Sequence, residues 1–153
     1  MKLKSIAVLV LVSIFAISSL MAQDAPKAEK YDNPVWYSMT HVKYKPGKLD
    51  EAMEMIREHF EPASMAAGTP SPAMVLVNHS GEWDLTIIWK MKGGLSAMEW
   101  KTSPDNVKWM KALKEHLSGD GKMEEVMGQY QSLIQNSSTV IGRHMPFGEK
   151  SKG

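Results

Sequence analysis

Apolar residues change their rhythm three times between positions 35 and 91. Val35 to Tyr44 is dense in aromatic and β-branched residues, the composition of a strand. Lys45-Pro46-Gly47-Lys48 should end it, because proline cannot continue a ladder and glycine opens a turn. From Lys48 the spacing turns helical, with Leu49, Ala52, Met53, Ile56, Phe60 and Ala63 on one stripe and Asp50 and Glu51 placed to favour the first turn. Pro62 should kink or end this helix, and Gly68 should stop it. Ala73 to His79 and Trp83 to Met91 then read as two strands, joined through Ser80-Gly81-Glu82 into an antiparallel hairpin.

Past Gly93-Gly94 the pattern predicts a helical region in pieces. Leu95 to Lys101 is one turn or two, and Ser103-Pro104 supplies an N-cap followed by proline at the first helical position. The helix from Pro104 is expected to bury Val107, Met110, Leu113 and Leu117. After Gly119-Asp120-Gly121, a further stripe runs through Met123, Val126, Met127, Tyr130, Leu133 and Ile134, and Ser138 to His144 reads as the last strand. The order β-α-β-β-α-β predicts an α+β, ferredoxin-like sandwich.

An open sheet alternates apolar and polar sides, whereas strand one carries Trp36, Val42 and Tyr44 on one side and Val35, Tyr37 and Met39 on the other. Right-handed crossovers place both helical regions on one face, so the second face needs another partner. A second copy packed sheet to sheet is the simplest, and a homodimer is expected.

The chain ends change the picture of compartment. Lys2 and Lys4, the apolar run Ile6 to Phe15 and Leu20-Met21-Ala22 have the layout of a signal peptide over 1–22, cut after Ala22; retention as a membrane anchor is the alternative. Residues 23–34 read as a flexible arm, 35–145 as the domain and 146–153 as a loose tail. A secreted or periplasmic location follows. The chain has no cysteine, which excludes disulfides, thiol nucleophiles and thiolate metal sites. Without Lys2 and Lys4, 16 basic residues face 17 acidic ones, so neither nucleic acid nor, after cleavage, a membrane is an expected partner.

Two stretches carry a family resemblance. Val42-Lys43-Tyr44-Lys45-Pro46-Gly47-Lys48-Leu49-Asp50-Glu51-Ala52 resembles the strand, Pro-Gly turn and acidic helix start of the dimeric α/β-barrel superfamily, in particular its antibiotic-biosynthesis-monooxygenase-like and stress-responsive domains. Ala97-Met98-Glu99-Trp100-Lys101-Thr102-Ser103-Pro104 is similar to the same group's aromatic-bearing helix and serine-proline restart. The resemblance covers about Val35 to His144 and implies a ferredoxin-like fold paired into a barrel. Members include cofactor-free monooxygenases of aromatic polyketides, haem-degrading enzymes and isomerases. The haem-degrading branch typically has a histidine where this chain has Asp105, Asn106, Val107 and Lys108, so haem is not implied.

Among titratable groups His41 is the leading catalytic candidate, sharing a strand face with Tyr37 and Met39. Trp89 and Trp100 are candidate walls for a flat ligand, and Arg143 could neutralise an anionic group. His59 and His116 flank helical stripes and read as solvated, and no histidine pair has the spacing of a helical zinc site, so neither metal nor cofactor is expected. The methionines are spread at core-like spacings and do not form a copper cluster. The expected function is binding, or cofactor-independent oxidation, of a small flat apolar compound; the alternative is a non-catalytic dimeric module. Motifs for serine hydrolases, phosphate loops and dinucleotides are absent.

Overall fold

A computed structural model describes residues 27–118 and 120–148. The expected leader, residues 1–22, the start of the arm and the end of the tail lie outside the described residues. Asn33 onward forms one compact unit, and its elements are strand β1 (Trp36–Tyr44), helix α1 (Leu49–Met55), a π turn (Ile56–Phe60), helix α2 (Glu61–Ala67), strands β2 (Met74–Val77) and β3 (Leu85–Lys90), a 3₁₀ turn (Gly94–Glu99), helices α3 (Pro104–His116) and α4 (Asp120–Leu133), and strand β4 (Ile134–Arg143). The strands form one sheet in the order β2-β3-β1-β4, with every neighbouring pair antiparallel. This is the expected α+β, ferredoxin-like arrangement.

Register fixes the two faces. Val42 lies opposite Leu85 on β3 and Ser137 on β4, and Val42, Tyr44 and Leu85 are all buried, so this parity faces the helices. Met39 pairs with Ile88 and Val140, and His41 with Thr86 and Ser138, so these residues share the other face. β4 is longer than its apolar pattern suggests. It begins at Ile134, directly after α4, instead of at Ser138, because Lys45 N–H donates to the Leu133 carbonyl at 2.8 Å and Tyr44 pairs with Ile134. The register shift between Lys43 and Tyr44 is a β-bulge that absorbs the extra residue. Gln135 to Ser138 are polar, and main-chain pairing to β1, not side-chain burial, makes them a strand.

Pro62 does not end the helical run, which continues to Ala67. It sits in the first turn of α2, and the π turn before it supplies a longer-range bond, Glu61 N–H to the Ile56 carbonyl. A proline has no N–H to give the carbonyl four residues back, and widening the helix by one residue is a known way to accommodate that loss. Gly68 then closes α2 in the left-handed region at φ 62, as its position predicts. Ser103 caps α3 as expected, its Oγ accepting from Asn106 N–H at 3.1 Å.

Two apolar clusters hold the layers. In the first, Leu49, Ala52 and Met55 of α1, with Val126, Tyr130 and Leu133 of α4, pack on Val42, Tyr44 and Leu85. In the second, Ala63 of α2 and Ala112 and Leu113 of α3 are buried with Phe60 and Trp109 packed against them. This corrects the expected stripe of α3. Val107 is 54% exposed and Met110 37%, because the helix turns its largest side chain inward: Trp109 meets Phe60 edge-on at 5.8 Å and donates its indole N–H to the Phe60 carbonyl at 3.3 Å. Burying an indole outweighs burying a valine.

Tyr44 is 1% exposed, and its hydroxyl lies 2.8 Å from that of Tyr130. Burial, and after it the neighbouring Tyr130 hydroxyl, push ionisation of Tyr44 far above the ordinary tyrosine range; burial raises Tyr130 as well. A phenol whose pKa is raised by folding stabilises the fold fully below the unfolded value of about 10, and that stabilisation is lost as pH rises above it. Titration followed by tyrosinate absorbance should therefore show Tyr44 and Tyr130 ionising together with loss of helical circular dichroism. Replacing both with phenylalanine should remove that cooperative step; ionisation of either tyrosine in the intact fold near pH ~10 would contradict it.

Candidate functional site

The sheet face turned away from the helices gathers Tyr37, Met39 and His41 from β1, Ile88 from β3, Leu76 and Met74 from β2, and Val140 from β4. Leu76, Met74 and Val140 are 44%, 51% and 47% exposed. Tyr37 lies opposite Gly142, and the open space there is used: the Met39 methyl group lies 3.2 Å from where a Cβ on Gly142 would stand, and the His144 ring meets Tyr37 edge-on at 6.2 Å. The face is thus a mostly apolar surface with histidine and tyrosine set into it.

His41 is the best-held polar group on this surface. Its Nδ1 is 3.0 Å from Thr86 Oγ1, and its ring leans over Trp83 with centroids 5.8 Å apart and planes tilted by 34°. Thr86 is buried and also accepts from Asn78 Nδ2 at 3.1 Å. Asn78 gives its other side-chain hydrogen to the Trp83 carbonyl at 3.0 Å, and its backbone N–H donates to the Asp84 carbonyl at 2.8 Å. The loop between β2 and β3 is therefore tied back on itself, and the knot presents Trp83 to His41. Thr86 and Asn78, which hold this arrangement together, are not singled out by strand patterning. Thr86 could have been found, since it faces His41 once antiparallel pairing places Val42 opposite Leu85.

The remaining candidates lie elsewhere. Trp89 pairs with Ser38 and Arg143 with Trp36, which places both on the helix side of the sheet, opposite to Tyr37, Met39 and His41. Trp100 follows the 3₁₀ turn in extended conformation and is 60% exposed. A single pocket walled by Trp89 and Trp100 with His41 at its base is therefore not formed within one chain. Trp89, Trp36 and Arg143 instead share the end of the helix side near the 3₁₀ turn. Gly94 approaches Trp36 there so closely that a Cβ would stand 3.2 Å from the indole Cδ1.

A shallow depression at the turn after β1 is lined by Lys43, Lys45, Gly47 and Asp84, among others. Its charge is largely internal. Lys43 Nζ donates to Asp84 Oδ1 at 2.8 Å and Tyr44 N–H to Asp84 Oδ2 at 2.8 Å. The lysine bond first, and the amide second, hold the Asp84 carboxyl below its ordinary range. Among the described residues no three histidine, aspartate or glutamate side chains converge in the manner of a metal centre.

No protein-family model matches the sequence, and no curated protein is significantly similar to it. Several solved structures are similar in fold. A NIPSNAP family protein of unknown function from Agrobacterium tumefaciens strain C58 is 13% identical, over 80% of this chain and 98% of that one, with a TM-score of 0.52. A second NIPSNAP family protein from the same source is 15% identical over 80% and 96% of the two chains, with a TM-score of 0.49. An uncharacterized NIPSNAP domain protein from Burkholderia xenovorans is 12% identical over 74% and 96%, with a TM-score of 0.46. At such identity the likeness to the first of these is one of fold, the ferredoxin-like sheet with its helices.

Proposed function

We propose that this chain is an exported, homodimeric barrel that binds a small, flat, apolar molecule on its open sheet face, with His41 as hydrogen-bond donor and Tyr37 further along the same face of β1. The observation that carries this reading is the apolar open face with one tethered imidazole set into it. A second copy packed on that face would cover Leu76, Met74 and Val140 and turn an exposed surface into an interior. The leader-like residues at positions 1–22 support export.

The tether of His41 favours binding over base catalysis. Thr86 Oγ1 has one hydrogen and two lone pairs, and Asn78 Nδ2 occupies one lone pair. If that hydroxyl gives its own hydrogen to His41 Nδ1, it is satisfied both as donor and as acceptor, and on this reading the imidazole proton sits on Nε2. An Nε2–H group donates to a ligand oxygen; a general base would need a lone pair there. Cofactor-independent oxidation would draw on the same apolar interior, but this tautomer does not supply its proton acceptor.

Light scattering on the chain lacking residues 1–22 should give a dimer, and Leu76→Asp or Val140→Asp should shift it towards monomer. A monomeric wild type at micromolar concentration would sink the barrel. Titration with a panel of flat aromatic ketones and phenols should quench tryptophan fluorescence, with the response lost in His41→Ala and Trp83→Phe; no quenching by any of them leaves the non-catalytic dimeric module as the function.

Thr86→Val leaves Asn78 Nδ2 and His41 Nδ1 without their partner and should cost about 1–3 kcal/mol in chemical denaturation. Proton–nitrogen correlation spectra should show His41 as the Nε2–H tautomer in the wild type and a tautomer mixture in Thr86→Val. A wild-type His41 protonated on Nδ1 would refute the donor assignment.

A further inference from the structure

The two histidines that read as solvated in the sequence come together across helices. Pro62 has no N–H for the Glu58 carbonyl, and that carbonyl is met by His116 at the end of α3, with Nε2 2.9 Å away. A carbonyl only accepts, so Nε2 carries the hydrogen and Nδ1 of His116 keeps its lone pair. His59, in the π turn beside Glu58, brings its ring centroid to 5.9 Å from that of His116, with the planes at 60°. Its Nδ1 is buried and has no hydrogen-bond partner.

Each of these features has a bland explanation, but together they have the form of a ligand pair. A buried ring nitrogen without a partner calls for a missing atom, and a metal-binding histidine commonly donates its other N–H to a backbone carbonyl. With metal–nitrogen distances of about 2.0–2.1 Å, two imidazoles on one ion stand with centroids roughly 5 to 6.5 Å apart, which includes the observed 5.9 Å. We propose that His59 and His116 form a two-imidazole site for a d10 cation, Zn²⁺ or Cu⁺. His116 is exposed, so water can complete the coordination of Zn²⁺, while Cu⁺ is satisfied by few ligands. Among the described residues no third histidine or carboxylate joins the pair, so the ion is held weakly and given up to chelators. The site is independent of the open sheet face and of His41.

The test is calorimetric titration of the full chain with Zn²⁺ and, separately, with Cu⁺ under anaerobic conditions, together with histidine proton–nitrogen spectra. The expected result is one equivalent bound, weakened at least about tenfold in His59→Ala and in His116→Ala, with metal-induced shifts confined to the rings of His59 and His116. Undiminished uptake in both variants, shifts on His41, His79 or His144 instead, or no uptake of either ion would overturn the proposal. If a variant fails to fold, the wild-type spectra decide between these outcomes on their own.

Discussion

A strand can offer only every second side chain to a given neighbour, and the described residues provide helices for one side of the sheet alone. Everything else in the structure works within that constraint. Val42, Tyr44, Leu85 and Ile87 take the covered side and build the main core with α1 and α4. The remaining apolar positions of the same strands, Met39, Leu76, Ile88 and Val140, have nowhere to go but outward. On β2, Met74 and Leu76 belong to this open face, while Val75 and Val77, paired with Ile87 and Leu85 on the helix side, are exposed as well. Water opposes such a surface, and the proposed sheet-to-sheet pairing of two copies would remove it without any change in either sheet.

The helical layer is organised by a local defect. A proline in a long helix would normally cost a bond and a bend. Here the π turn before Pro62 takes up the strain, and in doing so it rotates Phe60 into the space between Tyr130 and Trp109, at 5.0 and 5.8 Å from their rings. The Phe60 carbonyl accepts from Trp109, and also from Ser64 Oγ at 2.9 Å. A defect in one helix thus sets the rotation of α3 and seats α4, which in turn presents Tyr130 to Tyr44.

Periodicity and punctuation made the strand order, the Pro46-Gly47 turn, the Gly68 stop and the Ser103 cap readable from the residues, because each depends on local chemistry. The ferredoxin-like fold implied by the resemblance agrees with the sheet order. The outward turn of Val107 and Met110 was not readable, since two overlapping stripes on α3 differ only in which one meets Phe60. Polar Gln135 to Ser137 gave no strand signal, because an edge strand is held by its backbone. At the candidate site, parity already grouped Tyr37, Met39 and His41, whereas the expectation that Trp89 walls the same ligand fails, because the register puts Trp89 on the helix side. The tether through Thr86 and Asn78 needed the register, and the meeting of His59 with His116 needed the three-dimensional path of two helices that are distant in sequence.

The direct passage from Leu133 into Ile134 gives the last strand no slack at its start. Where a loop would let helix and sheet move separately, here a twist or slide of α4 is delivered straight into the hydrogen-bond ladder along β1, with the bulge at Tyr44 as the first place to give. Whatever grips that helix therefore has a mechanical lever on the outer margin of the sheet.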